Sequence, residues 1–358
     1  MRKILWVNTL GLLLSSAVFA SGEPALETFF FPEETEAVIV ASHSDGDDLP
    51  AMEMVIFTPD EPPLDPDYYD VNDTFTLTYY LDSSYQNDFV HWSVAGPSGR
   101  PDTLTEMKWN DLEMLGFDVG IKVAMPYGLV AKADGGYAWE VSGNTRQTYY
   151  AGDDKTGAFS KIHGNTGDSY SWYGSGGIGY GFDFGSADKL AFNVTPLVGY
   201  AWREQNLKSK DGKEQLTAFN LTDPELLEKQ NSYSTEWYGP WVGADMTLAA
   251  YRHHELFTTF QYHWGDYEAE GHWRQAEGLQ QPKSFEHEAD ATGIVASSGY
   301  RYFVDDNWGL SLSVDYQNWD TNNGTEKLYL VNGEKVKSHL NEVEWDSFGL
   351  NFGVNMKF

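Results

Sequence analysis

Ser347-Phe348-Gly349-Leu350-Asn351-Phe352-Gly353-Val354-Asn355-Met356-Lys357-Phe358 closes the chain. Phe348, Leu350, Phe352, Val354, Met356 and Phe358 share one parity, and Ser347, Gly349, Asn351, Gly353, Asn355 and Lys357 share the other. Side chains of a strand alternate between its two faces, so one face here is apolar throughout and the other is small or polar. A strand with lipid on one side and a polar lumen on the other has this pattern. A half-buried strand of a soluble sheet has it too, so the rest of the chain must decide between them.

The same period returns upstream. Leu115, Phe117, Val119, Ile121 and Val123 alternate with Gly116, Asp118, Gly120 and Lys122, and Leu190, Phe192, Val194, Pro196, Val198, Tyr200 and Trp202 form a second run. Further strands are expected near 73–95, 128–150, 168–183, 234–250, 254–272, 288–303 and 308–320. Tight links at Ala124–Gly128, Asp183–Lys189, Ala249–His254 and Phe303–Trp308 interleave with long polar stretches near 96–107, 151–168, 203–233, 273–287 and 321–343. Short turns at one end and long loops at the other mark an up-and-down barrel, whereas a soluble sandwich has no reason to alternate them. The expected fold is all-β: a transmembrane antiparallel up-and-down β-barrel over 73–358, of about ten strands. An even number brings both ends to the periplasmic side and leaves the long loops extracellular.

The chain starts as an exported one. Arg2 and Lys3 precede the largely apolar Ile4–Val18, and Val18-Phe19-Ala20 offers small residues before Ser21, so residues 1–20 read as a cleavable signal peptide. Residues 21–72 are acidic and contain Pro59, Pro62, Pro63 and Pro66, which suggests a periplasmic leader; Phe29-Phe30-Phe31 and Val38-Ile39-Val40 leave a lumen plug open as the competing view. No stretch after the signal has the roughly 18 consecutive apolar residues of a spanning helix. Zero Cys removes disulfides and thiolate sites from consideration. Lys+Arg 23 against Asp+Glu 54 gives a formal charge of -31, which disfavours nucleic acid as a partner, suits solvated surface loops and could attract cationic peptides. Tyr 22 and Trp 13 suggest two interfacial girdles of aromatic side chains.

Two resemblances add to this reading. The terminal Phe358 resembles the signal by which outer-membrane barrels are recognised by their assembly machinery. Gly99-Arg100, Leu104-Thr105-Glu106-Met107-Lys108-Trp109, Met125-Pro126, Gly143-Asn144, Tyr238-Gly239-Pro240 with Gly243, Phe260-Gln261-Tyr262 and Gly299-Tyr300 resemble, in order, segments of the omptins, the ten-stranded surface proteases of Gram-negative outer membranes. The likeness implies a barrel over about 73–358 with an extracellular cleft, where an Asp-x-Asp pair faces an Asp-x-His pair across an activated water. It also implies lipopolysaccharide as a partner, beside outer-membrane lipid.

Carried over residue by residue, Glu270-Gly271-His272 takes the place of Asp-x-His, with Glu for Asp, so Glu270 and His272 are the candidate catalytic residues. A carboxylate beside an imidazole raises its basicity, which suits a general base. Gln147-Thr148-Tyr149 stands where the likeness puts Asp-x-Asp, and Asp153 and Asp154 lie in what reads as a loop tip. His253-His254 and Glu286-His287-Glu288 are read as chance clusters in an acidic chain, and no cofactor or metal is expected. Three functions stay open: an omptin-like barrel with altered or lost protease activity, an active endopeptidase cleaving cationic peptides at the cell surface, and a small channel. About ten strands leave an interior that side chains can fill, which makes a channel the weakest of the three.

Overall fold

A computed structural model describes residues 75–186, 189–217, 229–251 and 253–358. The signal peptide, the acidic leader and residues 218–228 fall outside the described residues. No described helix is long and apolar enough to cross a membrane, a statement that does not bear on strands.

The strands are β1 (Thr76–Val94), β2 (Thr105–Ala124), β3 (Leu129–Gly152), β4 (Thr156–Thr166), β5 (Tyr170–Tyr180), β6 (Phe182–Ser186), β7 (Leu190–Thr217), β8 (Asn231–Ala250), β9 (His254–His272), β10 (Phe285–Phe303), β11 (Trp308–Thr321), β12 (Gly324–Tyr329) and β13 (Lys335–Lys357). Every pairing is antiparallel and joins one 13-stranded sheet, which β1 closes by pairing with β13 from Thr78↔Lys357 to Val94↔Leu340. Some of the thirteen are pieces of one stave. β4 pairs with the far half of β3 and β5 with its near half, and both pair with β7, as does β6. β11 and β12 likewise divide β10 between them. Merging 156–186 and 308–329 leaves ten staves among the described residues, the expected number.

The tight links Ala124–Gly128 and Phe303–Trp308 are turns in the structure and β6 takes up 183–186 of a third, while three of the five long polar stretches are largely strand. β4 occupies 156–166, β7 runs on to Thr217, and β12 with the start of β13 takes up much of 321–343. The reason is physical. Beyond the apolar belt both faces of a strand can be polar, so its alternation disappears from the sequence while the backbone ladder continues. Among the described residues, what remains as loop at this end is 95–104, a turn at 153–155 with Asp154 and Lys155 at φ 56 and 54, residues 273–284, and 330–334. The Asp102 carboxylate accepts the backbone N–H of Asp154 (3.0 Å), and Asp102 N–H donates to Asp153 Oδ1 (3.0 Å), so two of these tips are tied together.

The exterior carries a continuous apolar belt: Leu81, Val119, Ile178, Val198, Val242, Leu312, Leu350 and Phe352 are exposed outward. Tyr127, Tyr180, Tyr251 and Trp308 rim it at the short-turn end, and Trp139, Trp172, Trp202 and Trp264 rim it at the other. Trp202 stacks on Tyr238 at 4.8 Å. The aromatic count is only half explained by these girdles, because seven tryptophans point inward: Trp92, Trp109, Trp237, Trp241, Trp273, Trp319 and Trp345 are all buried. Strand parity decides which. Trp237 and Trp241 share their face with the lumenal Asp245, whereas Val242 lies on the lipid-facing parity.

The seam is the place to test the fold. Leu77 and Phe358 exchange two backbone hydrogen bonds, 2.9 and 2.8 Å, and the Phe358 ring meets Tyr79 edge-on at 6.2 Å. Deleting Phe358 removes the last rung of the closing ladder. The truncated chain is expected to yield far less heat-modifiable, detergent-resistant barrel on a gel than the full chain does, and equal yields would show the rung to be dispensable.

Candidate functional site

The interior divides at mid-height. Its short-turn half is polar: Asp82, Asp118, Asp134, Asp245 and Asp315 meet Lys122, Lys132, Arg203 and Arg301 around a cavity of about 400 Å³. Asp245 is held by Lys132 Nζ (3.1 Å) and Lys122 Nζ (3.4 Å), and the Arg203 guanidinium lies over the Tyr173 ring at 4.7 Å and the Trp319 ring at 5.3 Å. Pairing and cation–π contact are what allow charges to sit away from bulk water.

The other half is filled. Trp92, Trp109, Tyr233, Trp237, Tyr267, Trp273, Phe285, Trp319 and Trp345 pack with Met107, Leu112, Leu340 and Val343 into one core that crosses the bore. The rings meet at short range: Trp109 stacks on Tyr233 at 5.7 Å, Trp237 tilts on Tyr267 at 4.3 Å, and Trp319 stacks on Trp345 at 6.1 Å. Glycine makes the room. A Cβ on Gly293 would lie 2.4 Å from the Trp319 ring, and one on Gly271 would lie 2.2 Å from that of Phe285. A polar thread runs through the stack. His287 Nδ1 and Tyr267 OH both bond Tyr233 OH (2.7 and 2.6 Å), and Glu326 lies 3.5 Å from His287 Nε2. His287 and Tyr233 are wholly enclosed and Glu326 is nearly so, so this Glu-His-Tyr series is shut off from bulk solvent and organises the core.

Against this frame the sequence candidates separate. On β9 the inward residues are Tyr267, Ala269 and Gly271, so Glu270 and His272 project outside the barrel. Glu270 pairs with Lys283 Nζ at 3.1 Å, and Arg274 Nε donates to His272 Nε2 at 3.4 Å. Partial burial and the nearby guanidinium push the His272 imidazole below its usual range, which keeps it neutral at physiological pH. Gln147 points inward on β3. Its Nε2 donates to Tyr149 OH (2.8 Å) and its Oε1 accepts Trp273 Nε1–H (3.3 Å). The two walls therefore do not face each other across a groove: Trp273, the residue after His272, turns inward and bridges them.

The clusters read as chance fall apart in the same way. His287 is buried while its neighbours Glu286 and Glu288 face outward, and His253 and His254 bond the Phe303 carbonyl (2.8 Å) and Tyr300 OH (2.6 Å) at the short-turn end. What sequence reasoning missed is the aromatic stack itself, and with it His287 and Glu326. The signal was present in parity, since Tyr233, Trp237 and Trp241 recur on one face with Asp245.

The outer wall above the belt carries charge in two zones. Glu204, Glu236, Glu268 and Glu288 are direct cross-strand partners from β7 to β10, a row of like charges. Such rows cost stability and are kept only where something else favours them. Around 270–286 the acids are compensated. Lys283 Nζ lies 2.6 Å from Glu286, and Lys327 pairs with the same carboxylate.

A model of the family described as "Pom: Protochlamydia outer membrane protein" matches residues 80–358. No curated protein matches. Among solved structures, the outer membrane protease OmpT of Escherichia coli superposes with a TM-score of 0.61 at 14% identity, covering 79% of this chain and 97% of that one. The translocator domain of the autotransporter NalP from Neisseria meningitidis gives 0.31 at 12% identity, covering 82% and 91%. The outer membrane protein OprG of Pseudomonas aeruginosa gives 0.28 at 12%, covering 79% and 95%. The first of these likenesses bears out the omptin type of barrel at the level of fold.

Two tests follow from this geometry. Trp273→Ala leaves a large void beside Trp92 and Phe285 and takes away the donor to Gln147 Oε1, so it is expected to lower unfolding stability by about 3–5 kcal/mol, read from denaturant titration of the refolded barrel. Burial alone would raise the Glu286 carboxyl, but hydrogen bonds from Lys283 and Lys327 outweigh it and hold it at about 2, against a usual 4.5. A lowered value means stability that is complete above pH 4.5 and lost as pH falls through about 2. Lys283→Met should move that loss to higher pH, and an unshifted acid-unfolding curve would count against the pairing.

Proposed function

The chain belongs to the Protochlamydia outer membrane protein family, and from that premise we propose that it is a surface-displayed barrel that acts by binding and has no endopeptidase activity. Its short turns and both chain ends face the periplasm, and the extended wall with its tips faces the medium. The observation that carries this reading is the Trp273–Gln147 bridge and the aromatic stack behind it, which fill the space where a peptide would have to lie. Glu270 and His272 sit on the wrong face to reach that space. Gln147 and Tyr149 supply no fixed negative charge at neutral pH to hold a water or a basic side chain. The same stack argues against a channel, because it crosses the bore between the polar cavity and the far end.

Outer-membrane lipid and lipopolysaccharide surround the belt, and the assembly machinery takes up the terminal strand ending in Phe358. The glutamate row across β7 to β10 suits cationic peptides, which would relieve its repulsion. Incubation of dibasic peptides with the purified, refolded barrel and lipopolysaccharide at neutral pH tests the main claim. Cleavage is expected to fall below that of an active omptin by at least about 100- to 10,000-fold, the usual cost of a missing acid-base group. His272→Ala should change nothing. Robust cleavage that His272→Ala abolishes would restore the peptidase reading.

A further inference from the structure

A second charged zone lies on the adjoining part of the wall, the two meeting on β7. Lys108 on β2, Arg146 on β3, His163 on β4 and Lys213 on β7 are successive cross-strand partners, so they form one row over four strands. Neighbouring strands lie about 4.8 Å apart, which makes the row roughly 14 Å long. Arg146 alternates with the inward Thr145 and Gln147, which places it, and its partners in the row, on the outside. Lys161 shares the face of His163 two residues on, and Lys210 pairs with Asn165 one row below. Arg146 and Lys161 are near enough to His163 to lower its imidazole, after the effect of its partial burial. Lys108 is paired, with Glu106 at 2.9 Å, but Arg146, Lys161, Lys210 and Lys213 have no carboxylate within ion-pair distance among the described residues. In a chain of formal charge -31 this is a concentration of cations that have no ion-pair partner among the described residues.

We propose that the outer wall of β2, β3, β4 and β7 is a docking surface for a linear sulfated polysaccharide. Three observations choose that partner. The first is height. Arg146 lies seven residues beyond the girdle residue Trp139, and His163 seven residues before Tyr170, the strand partner of Trp139. At about 3.3 Å per residue and a tilt of about 40°, that is roughly 17 Å above the girdle. A phospholipid headgroup layer is only about 5–7 Å thick, so the row stands clear of phospholipid phosphates. The second is the absence of any free strand edge, since β4 is paired with β3 on one side and β7 on the other, which leaves nothing for an acidic peptide to add to as a strand. The third is the surface between the cations, where Asn165 is exposed and polar and Thr148 is polar and buried beneath its neighbours, so that neither offers an aromatic or aliphatic anchor of the kind protein partners use. An extended polymer with a fixed negative charge on most of its sugars needs only a row of spaced cations. The glutamate row does not repel it from a distance, because charges beyond about 8 Å are screened at physiological salt.

The proposal uses the orientation given above, with this wall on the outside of the cell, and the experiment separates the two claims. The purified barrel in detergent is titrated with dextran sulfate, with uncharged dextran, poly-glutamate and vesicles containing anionic phospholipid as comparisons. Dextran sulfate is expected to bind and the others to bind at least about tenfold more weakly. The triple variant Arg146→Gln, Lys161→Gln, Lys213→Gln should weaken dextran sulfate binding by about tenfold or more. It should also make the salt dependence shallower by about 2–3 in log–log slope, since three fewer counterions are released. A variant with Lys335→Gln and Lys337→Gln, far from the row, should bind as the parent does, and heat-modifiable migration confirms that each variant is folded. Equal binding by poly-glutamate or by vesicles, or an unaffected triple variant, would overturn the proposal. Binding of labelled dextran sulfate to the purified barrel but not to intact cells would leave the site standing and sink the orientation instead.

Discussion

Every backbone N–H and C=O inside a bilayer must find its partner within the protein, and a sheet meets that demand only when its last strand pairs with its first. The β1–β13 seam is therefore the interaction on which the rest depends. It runs the full length of β1, it is held at its end by the reciprocal Leu77–Phe358 bonds, and it fixes the parity of every other stave by register. Once the ring is closed, inward and outward are defined for each residue, and the chemistry of the two faces follows.

Closure leaves an interior to be filled, and the chain fills its two halves by different means. Near the short turns, carboxylates and cations neutralise one another around a cavity of about 400 Å³. Farther up, rings pack against rings, with Gly293 and Gly271 giving up their side chains so that Trp319 and Phe285 can lie against the backbone. The likeness to OmpT stands at the level of backbone path. Two barrels can share that path and differ in whether the wide end is a groove or a core, because the difference rests on side chains such as Trp273.

The sequence showed the ring well and the site poorly, and both outcomes have the same cause. Phe348 through Phe358 and Leu115 through Val123 announce themselves because lipid on one face and a polar lumen on the other force a period of two. Outside the belt water reaches the outer face, that contrast vanishes, and β4 or the far part of β7 reads as loop. Counting tryptophans suggested girdles, but only parity relative to a known lumenal residue such as Asp245 separates Trp202 from Trp237. Glu270 and His272 were aligned by residue type. Whether a pair faces into a barrel or out of it turns on a shift of one residue, which type alone cannot register.

That so much of the wide end is ladder bears on how the protein can change over generations. A surface made of loops drifts by gaining and losing residues, since a longer loop costs little. Here an extra residue within 156–166 would slide β4 past both of its neighbours and turn every following side chain to the opposite face. Length variation is confined to the tips, of which 153–155 and 330–334 are the shortest described. The wall itself can diversify only by exchanging one side chain for another, which lets its charge pattern evolve quickly while its shape stays fixed.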